Sequence, residues 1–333
     1  MILEKAWAKV HGSYQRIEGG NTAEALFALT GAYIDYIFHE QVKNKTVLWT
    51  RVLDADTIGY SIATSASATK TGKHSEQMKA AGIIDCHAYS LISAYSSTSS
   101  NSEIRLVKLR NPWGFEEWTG AWSDNDTKNW TPELKKKFDY QSKDDGIFFM
   151  DFSDYLDFYY TTSICKYQAT DKFWYYSDVD TVNEFAVFEF KLKKAKDKLK
   201  LFLAVTQLNS RFKDSKDFEY APLQVMVAKV VGDQLLFIDG DAIEFSFVHL
   251  ELQGLTAGKY FVFAKPKWNK TNKCKNLVCN IYLNQESYVK RVFYKKFSED
   301  VLHTMIRMLN ERLSEGKDYK IPETKDDEEN KVE

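Results

Sequence analysis

The sequence predicts an α+β protein in two parts, a first part that mixes helices with an antiparallel sheet and a second part built from strands. Its 333 residues are enough for two ordinary domains. Hydrophobic residues make up 44% and aromatic residues 15%, which is enough for each domain to bury its own core. From about residue 166 the mixed pattern gives way to short strands separated by turn residues.

Two short helices are predicted at the start of the chain. The first covers residues 3–11, where apolar residues fall near helical spacing. The second covers residues 22–29, with Asn21 or Thr22 as its N-cap and Gly31 at its end. Because the chain opens directly inside the first helix with no preceding cap, we expect it to be a piece of a larger domain.

An antiparallel hairpin is the clearest element of the first part. Strands are predicted over residues 87–95 and 103–110, with a turn over 96–102. A third strand follows at 147–150, and a short aromatic helix at 152–160. Before the hairpin the pattern is weaker. Residues 32–50 are mixed, residues 59–63 resemble a strand, and residues 64–74 form a polar loop.

The second part predicts a β-sandwich followed by one helix. An amphipathic helix is predicted over residues 298–314, which either packs on the sandwich or binds a partner. The last residues are charged and poor in apolar side chains, which is typical of a disordered tail. Seven strands with turn signals between them are predicted at 184–192, 199–207, 223–230, 234–238, 245–251, 259–264 and 278–283.

Composition excludes several functional classes. The net charge of −2 gives no electrostatic reason to expect a nucleic acid partner. No apolar run reaches the ~18 residues of a membrane helix, and the charged opening does not resemble a signal peptide. Four scattered cysteines do not form a disulfide framework, which favours a reducing, cytoplasmic compartment.

The hairpin brings two chemically important residues together. His87 begins its first strand and Asn111 follows its second, and these two ends are adjacent in an antiparallel pair. An asparagine oxygen that accepts from an imidazole N–H fixes the tautomer, and the other ring nitrogen can then act as a base towards a thiol. Trp113 would shield that hydrogen bond from water. Taken alone, a hairpin histidine and a turn asparagine before proline would more often be structural.

The order of several motifs changes that assessment. They are EKAWAK at 4–9, HGSY at 11–14, HAYS at 87–90, RNPWG at 110–114, EWTG at 117–120, and DGIFFM at 145–150. In sequence and spacing these motifs resemble those of the calpains, papain-like and calcium-dependent cysteine proteases. The resemblance is strong over about residues 2–166 and weaker over 167–295. On this basis the chain is identified as a member of the calpain family.

The resemblance implies a specific domain organisation. Residues 1–166 would be the second subdomain of the protease core, which is half of a papain-like core with an antiparallel sheet. Residues 167–296 would be the β-sandwich domain that follows the core. Residues 297–318 would form a helix, and residues 319–333 a disordered acidic tail.

The resemblance also implies roles in catalysis. In the complete enzyme a cysteine thiolate attacks the peptide carbonyl, His87 takes and returns the proton, Asn111 orients His87, and Trp113 shields the pair. The family's cysteine lies in the half of the core that precedes the motifs seen here, so this chain supplies no nucleophile. Cys86 stands where the family has glycine. Because neighbouring side chains on a strand point to opposite faces, Cys86 cannot pair with His87, and we expect it to be a buried structural thiol.

Calpain cores bind calcium, and the resemblance maps the ligands onto Glu117, Asp124 and Asp145, with the backbone oxygen of Lys143 as a further candidate. Carboxylate and carbonyl oxygens suit this hard cation. The family's fourth side-chain ligand is acidic, and Ile147 replaces it here. We therefore expect weak calcium binding or none, and no other cofactor.

Three interpretations of the function stay open. The chain is a piece of an active endopeptidase that acts on protein or peptide substrates, or it is a non-enzymatic calpain-like protein that binds a protein partner or a membrane through its β-sandwich. A third, more distant interpretation is that another polypeptide supplies the missing half. A basic run between residues 191 and 200 is a candidate lipid contact, although solvated loops more often carry such runs.

Overall fold

The computed structural model describes residues 2–99, 102–167, 174–193, 199–209, 211, 219–270, 272 and 274–315. The chain divides into two compact units, Gly20–Ala169 on the one hand, and Met1–Gly19 with Thr170–Glu333 on the other. Within the described ranges no helix combines the length and the apolar character needed to cross a membrane. The predicted tail at 319–333 lies outside the described residues.

The elements are numbered in chain order. The helices are α1 (Ile2–His11), α2 (Thr22–Thr30), α3 (Lys45–Ile58), α4 (Ala68–Thr71), α5 (Ser75–Ala80), α6 (Pro132–Lys137), α7 (Phe152–Phe158) and α8 (Glu299–Glu315). The strands of unit Gly20–Ala169 are β1 (Ile34–Phe38), β2 (Ser61–Ala66), β3 (His87–Ser99), β4 (Ser102–Arg110), β5 (Ile147–Asp151) and β6 (Tyr159–Cys165). The strands of the other unit are β7 (Trp174–Thr181), β8 (Ala186–Leu192), β9 (Leu201–Gln207), β10 (Leu223–Val231), β11 (Gln234–Ile243), β12 (Phe247–Leu252), β13 (Gly258–Pro266), β14 (Asn276–Leu283) and β15 (Val289–Val292).

Unit Gly20–Ala169 is built on a six-stranded antiparallel sheet in the order β1-β6-β2-β3-β4-β5. The predicted β3–β4 hairpin is confirmed. The predicted turn at 96–102 is wrong, because the strands continue to Ser99 and resume at Ser102, and these two residues face each other in the register. The predicted helix at 152–160 is shorter than expected, and its last two residues open β6.

Helix ends in this unit follow simple capping rules. The predicted α2 is confirmed, with the Asn21 side chain accepting a hydrogen bond from the N–H of Ala23 at 2.7 Å and Gly31 ending the helix at a φ of 66°. The mixed segment at 32–50 contains β1 and the start of α3, and the sequence shows no Gly or Pro between them. The side chain of Asn44 caps α3, and Gly59 ends it at a φ of 85°.

The other unit contains a β-sandwich with two antiparallel sheets. One sheet has the order β11-β10-β13-β8-β15 and the other β12-β9-β14-β7. The seven predicted strands are confirmed. The two further strands, β7 and β15, lie at sheet edges, where exposed and partly exposed side chains dominate and the apolar alternation is weak. Inward-facing residues such as Leu203, Val205, Leu277 and Ile281 form the core between the sheets.

The C-terminal helix α8 packs on the outer face of the five-stranded sheet, which settles one question that the sequence left open. Its buried residues Leu302, Met305 and Leu309 contact a cluster that includes Met226 and Phe237. A glycine in β11 makes room for this helix, because a Cβ at that position, Gly240, would lie 2.8 Å from Leu309 Cδ1.

We expect Leu309→Ala to lower the free energy of unfolding by about 2–5 kcal/mol, because the fully buried side chain leaves a cavity under α8. Urea denaturation measures the change. Leu313→Ala is the matched control, since Leu313 is on the same helix and 40% exposed. Equal losses in the two variants would show that α8 is not docked through Leu309.

Candidate active site

The ends of two strands place His87 beside Asn111. His87 is the first residue of β3 and pairs with Ala66 of β2, while Asn111 directly follows the last residue of β4. The side-chain oxygen of Asn111 lies 3.0 Å from Nε2 of His87. Since an amide oxygen only accepts, Nε2 is the donor, and in the neutral imidazole Nδ1 then has the free lone pair. This is the contact that the hairpin geometry predicts, and the catalytic roles of the two residues stay predictions.

Asn111 is fully buried, and its side chain organises the loop that follows β4. Its amide nitrogen donates to the backbone oxygens of Phe115 at 2.6 Å and Glu116 at 3.2 Å. Its side-chain oxygen also accepts from the N–H of Trp113 at 3.1 Å. Because the same amide closes the loop and bonds the imidazole, the position of the histidine depends on the folding of the whole turn.

A glycine lets the next strand approach this turn closely. The N–H of Asn111 donates to the carbonyl of Gly146 at 2.8 Å. Gly146 has a φ of 80°, and a Cβ there would lie 2.7 Å from the backbone oxygen of Asn111. Any other residue at this position would be strained and would push the turn away from β5.

Aromatic rings contact His87 from two sides. The ring of Trp113 is 4.6 Å from the imidazole, centroid to centroid, and the ring of Tyr89 is 5.0 Å away in an edge-on arrangement. Trp113 is 55% exposed, and its neighbour Phe115 is 50% exposed. The sequence reasoning named Trp113 but missed Tyr89 and Phe115, although Tyr89 is two residues from His87 on the same strand and therefore on the same face.

Cys86 is not the buried thiol that the sequence predicted. It is exposed, it lies just before β3 instead of within it, and its φ is 52°. Side-chain alternation along a strand therefore does not apply to it. A left-handed backbone suits glycine, which is the residue that the resemblance implies at this position. Within the described residues no hydrogen bond joins a cysteine thiol to His87, and Cys165 and Cys279 are buried thiols whose pKa is raised by burial.

The three acidic candidates lie around one loop. Glu117 accepts from the N–H of Asp145 at 3.0 Å and from the N–H of Gly146 at 2.7 Å. Asp124 accepts from the N–H of Lys143 at 2.9 Å. These contacts hold two carboxylates against the segment between α6 and β5, so the structure brings all three residues into one region.

The negative charges of this region are only partly compensated. Burial raises the pKa of Glu117, and the nearby Asp124 and Asp144 raise it further against the lowering effect of its backbone hydrogen bonds. Burial also raises the pKa of Asp124, and Asp145 adds to the effect. In the described part of the chain, Oδ1 of Asp124 is buried without a hydrogen-bond partner.

The fit of this region to calcium is incomplete. Its oxygen donors are of the correct type, and Oδ1 of Asp124 is available. However, the described residues contain no group of three acidic, histidine or cysteine side chains close enough to hold a metal ion. The resemblance implies an acidic ligand at position 147. Ile147 has no side-chain oxygen, and its backbone N–H donates to Asp145 at 3.0 Å.

Comparison with known proteins gives one consistent family. A family model described as calpain family cysteine protease matches residues 1–166. Calpain clp-4 of Caenorhabditis elegans is 34% identical over 172 residues, which cover 50% of this chain and 24% of that protein. The calpain-2 catalytic subunit of Mus musculus is 35% identical over 168 residues, covering 50% of this chain and 23% of that protein. The chain therefore matches about a quarter of the length of these relatives.

We expect Asn111→Ala to remove the hydrogen bond that selects one tautomer of His87, and to destabilise unit Gly20–Ala169. Nitrogen-15 spectra of the imidazole should change from one tautomer, protonated at Nε2, to a mixture. The loss of a fully buried side chain that makes four hydrogen bonds should lower the free energy of unfolding by about 1–3 kcal/mol. Asn183→Ala is the control, because Asn183 is exposed. An unchanged tautomer in Asn111→Ala would contradict the role of Asn111.

Proposed function

Residues 1–166 of this chain belong to the calpain family of cysteine proteases, and we propose that they supply the histidine and asparagine of a calpain-type endopeptidase site. The observation that carries the proposal is the 3.0 Å contact between Asn111 Oδ1 and His87 Nε2, next to the ring of Trp113. Calpain activity belongs to proteins that are several times longer than the matched segment, so the complete activity is part of the proposal.

The residues of this chain would move the proton. With Nε2 bonded to Asn111, the free Nδ1 of His87 takes the proton from a cysteine thiol, and the thiolate then attacks the peptide carbonyl. The imidazolium returns the proton to the leaving amine. Asn111 keeps the ring oriented through both steps, and the Trp113 ring limits the access of water to the His87–Asn111 bond.

We further propose that this chain alone is inactive. The reaction needs a thiol in contact with Nδ1 of His87, and no hydrogen bond between a cysteine and His87 occurs in the described ranges. Cys86 is exposed and adjacent in sequence, and it has a left-handed backbone instead of a strand geometry. The nucleophile would come from a segment that carries the cysteine half of the core.

A complementation assay tests this proposal. We expect the chain alone, with calcium and fluorescent casein, to show no thiol-dependent cleavage. Mixed with the nucleophile-bearing half of a calpain core, it should cleave the substrate. His87→Ala should then lower the rate by about 10²–10⁴-fold, because it removes the general base.

Two controls complete the assay. His303→Ala should leave the rate unchanged, since His303 is an exposed residue of α8. Cys86→Ala should also have no effect. Cleavage by the chain alone that disappears in Cys86→Ala would overturn the assignment of the nucleophile to another segment, and equal rates with and without His87 would overturn the assigned role of His87.

For calcium, we propose weak binding through Glu117, Asp124 and Asp145. The raised pKa values mean that ionisation of Glu117 and Asp124 is less favourable in the folded state than in the unfolded state. The stability of the fold is therefore greatest at low pH, where both carboxyls are neutral, and it falls as pH rises through the folded-state pKa values. A bound cation would reverse that cost.

We therefore expect Asp124→Asn to raise the unfolding midpoint at pH 7 without calcium and to abolish stabilisation by added calcium. Thermal unfolding with and without millimolar calcium measures both effects. The control is Asp54→Asn, an exposed carboxylate on α3. Tight calcium binding in titration calorimetry, lost in Asp124→Asn, would show that Ile147 does not weaken the site.

Binding of a protein partner or an anionic lipid surface through the β-sandwich is the alternative proposal. Only part of the basic run supports it, because residues 194–198 lie outside the described residues. Lys193 is exposed and pairs with Glu286 at 3.7 Å, which reduces its field. Co-sedimentation with phosphatidylserine vesicles tests lipid binding, and the absence of binding at low salt would remove that partner.

A further inference from the structure

A second concave site lies in unit Gly20–Ala169, at the ends of β1, α4 and α7. It is a cavity of about 410 Å³. That size is within the range of small-molecule sites, which is roughly 300–1,000 Å³. Its apolar walls include Phe38, Val42, Leu156 and Tyr160. No role in the proposed protease chemistry uses these residues.

The lining is rigid on the side of β6. The imidazole of His39 is fixed at both nitrogens, with Nδ1 2.6 Å from the backbone oxygen of Tyr159 and Nε2 2.7 Å from the hydroxyl of Thr162. The ring of Tyr155 packs against it at 5.2 Å. Burial lowers the pKa of His39 to about 4, so this part of the lining is neutral at physiological pH.

The helix that carries Lys70 is held in part by the carboxylate of Asp85. Asp85 accepts from the N–H of Ala68 at 2.7 Å and from the hydroxyl of Ser75 at 2.5 Å. These contacts fix the start of both α4 and α5, and α4 carries Lys70 of the cavity lining. Hydrogen bonds thus hold His39 and the helix that carries Lys70 in place.

The lining of the cavity carries one more positive than negative formal charge. Three lysines, Lys45, Lys70 and Lys73, line it together with two acids, Glu40 and Asp157. Lys45 and Lys70 form no ion pair with any described residue.

The positive and negative side chains of the lining also differ in burial. Both acids are exposed, whereas Lys73 is partly buried, with its ammonium 4.4 Å from the centre of the Phe158 ring. Among the charged residues of the lining, the least exposed is thus Lys73, whose stem lies along apolar surface as lysine stems do. Its ammonium also interacts with the partly buried Asp154, which lies outside the lining.

We propose that this cavity binds a small carboxylate with an aromatic or branched apolar body. The apolar body packs against Phe38, Val42 and Leu156, and the carboxylate lies towards Lys73 with Lys45 and Lys70 around it. The proposal does not depend on the protease assignment, because none of these residues belongs to the His87 site.

Three probes of one shape and different charge test the proposal. 1-Naphthoate, 1-naphthalenemethanol and 1-naphthylmethylammonium are titrated into the full chain by calorimetry at pH 7.5. We expect the acid to bind most tightly and the amine least. Affinity for the acid should fall as salt is raised, because exposed charges are screened.

Matched variants then locate the binding. Lys73→Met keeps the apolar stem and should weaken 1-naphthoate roughly fivefold while leaving the alcohol unchanged. Glu40→Gln should raise the affinity for 1-naphthoate, because it removes a negative charge from the lining. Lys79→Met is the control, because Lys79 is an exposed lysine of α5 outside the cavity lining.

Three outcomes would overturn the proposal. The first is tighter binding of the amine than of the acid. The second is the same loss of affinity in Lys73→Met and Lys79→Met, which would mean that only the net charge of the chain matters. The third is no binding of any probe up to its solubility limit. All the altered side chains are at least partly exposed, so we expect the variants to fold. Their unfolding midpoints check this.

Discussion

The geometry of the protease half-site depends on a single buried amide. Asn111 is inaccessible to solvent, so each of its side-chain hydrogen-bonding groups needs a partner inside the protein. The partners are two backbone carbonyls, one backbone N–H and the imidazole of His87. Because one buried amide makes all of these bonds, the loop and the histidine are held by the same side chain. The structural role of Asn111 and the catalytic role proposed for it therefore coincide.

The hairpin explains why the pair could be placed in the sequence, whereas its catalytic interpretation depended on the resemblance of the surrounding motifs. A hairpin fixes which strand ends meet, so His87 and Asn111 could be placed together from alternation and turn signals alone. The edge strand β7, the segment containing β1 and α3, and the strand β6 were not visible in the same way. Their pairing partners are distant in sequence, as for Ile34 with Cys165, and no local pattern specifies them. Cys86 lies outside the strand with a left-handed φ, and a cysteine in the sequence does not predict such a backbone conformation.

The acidic region shows the opposite balance between sequence and structure. Residue types alone indicate a cation site, because Glu117, Asp124 and Asp145 are the hard ligands that calcium prefers. The structure adds that all three carboxylates already accept hydrogen bonds from backbone N–H groups, and that the one donated to Asp145 comes from Ile147. Partial neutralisation by backbone dipoles makes the folded state tolerable without a metal. It also lowers the gain on binding one, since those hydrogen bonds compete with the ion for the same oxygens.

His87 is positioned, but it is not enclosed. The ring of Trp113 lies beside it and the ring of Phe115 packs against Trp113, and each has at least half of its surface exposed. Exposed aromatic side chains of this kind are typical of interaction surfaces. Proton transfer from a thiol to an imidazole creates an ion pair, and such a pair is stabilised much more strongly when water is excluded. Orientation and desolvation are therefore supplied separately. This chain fixes the ring through Asn111. In the proposed enzyme, desolvation would need a second surface that covers Trp113 and Phe115, and the segment that carries the thiol would supply it.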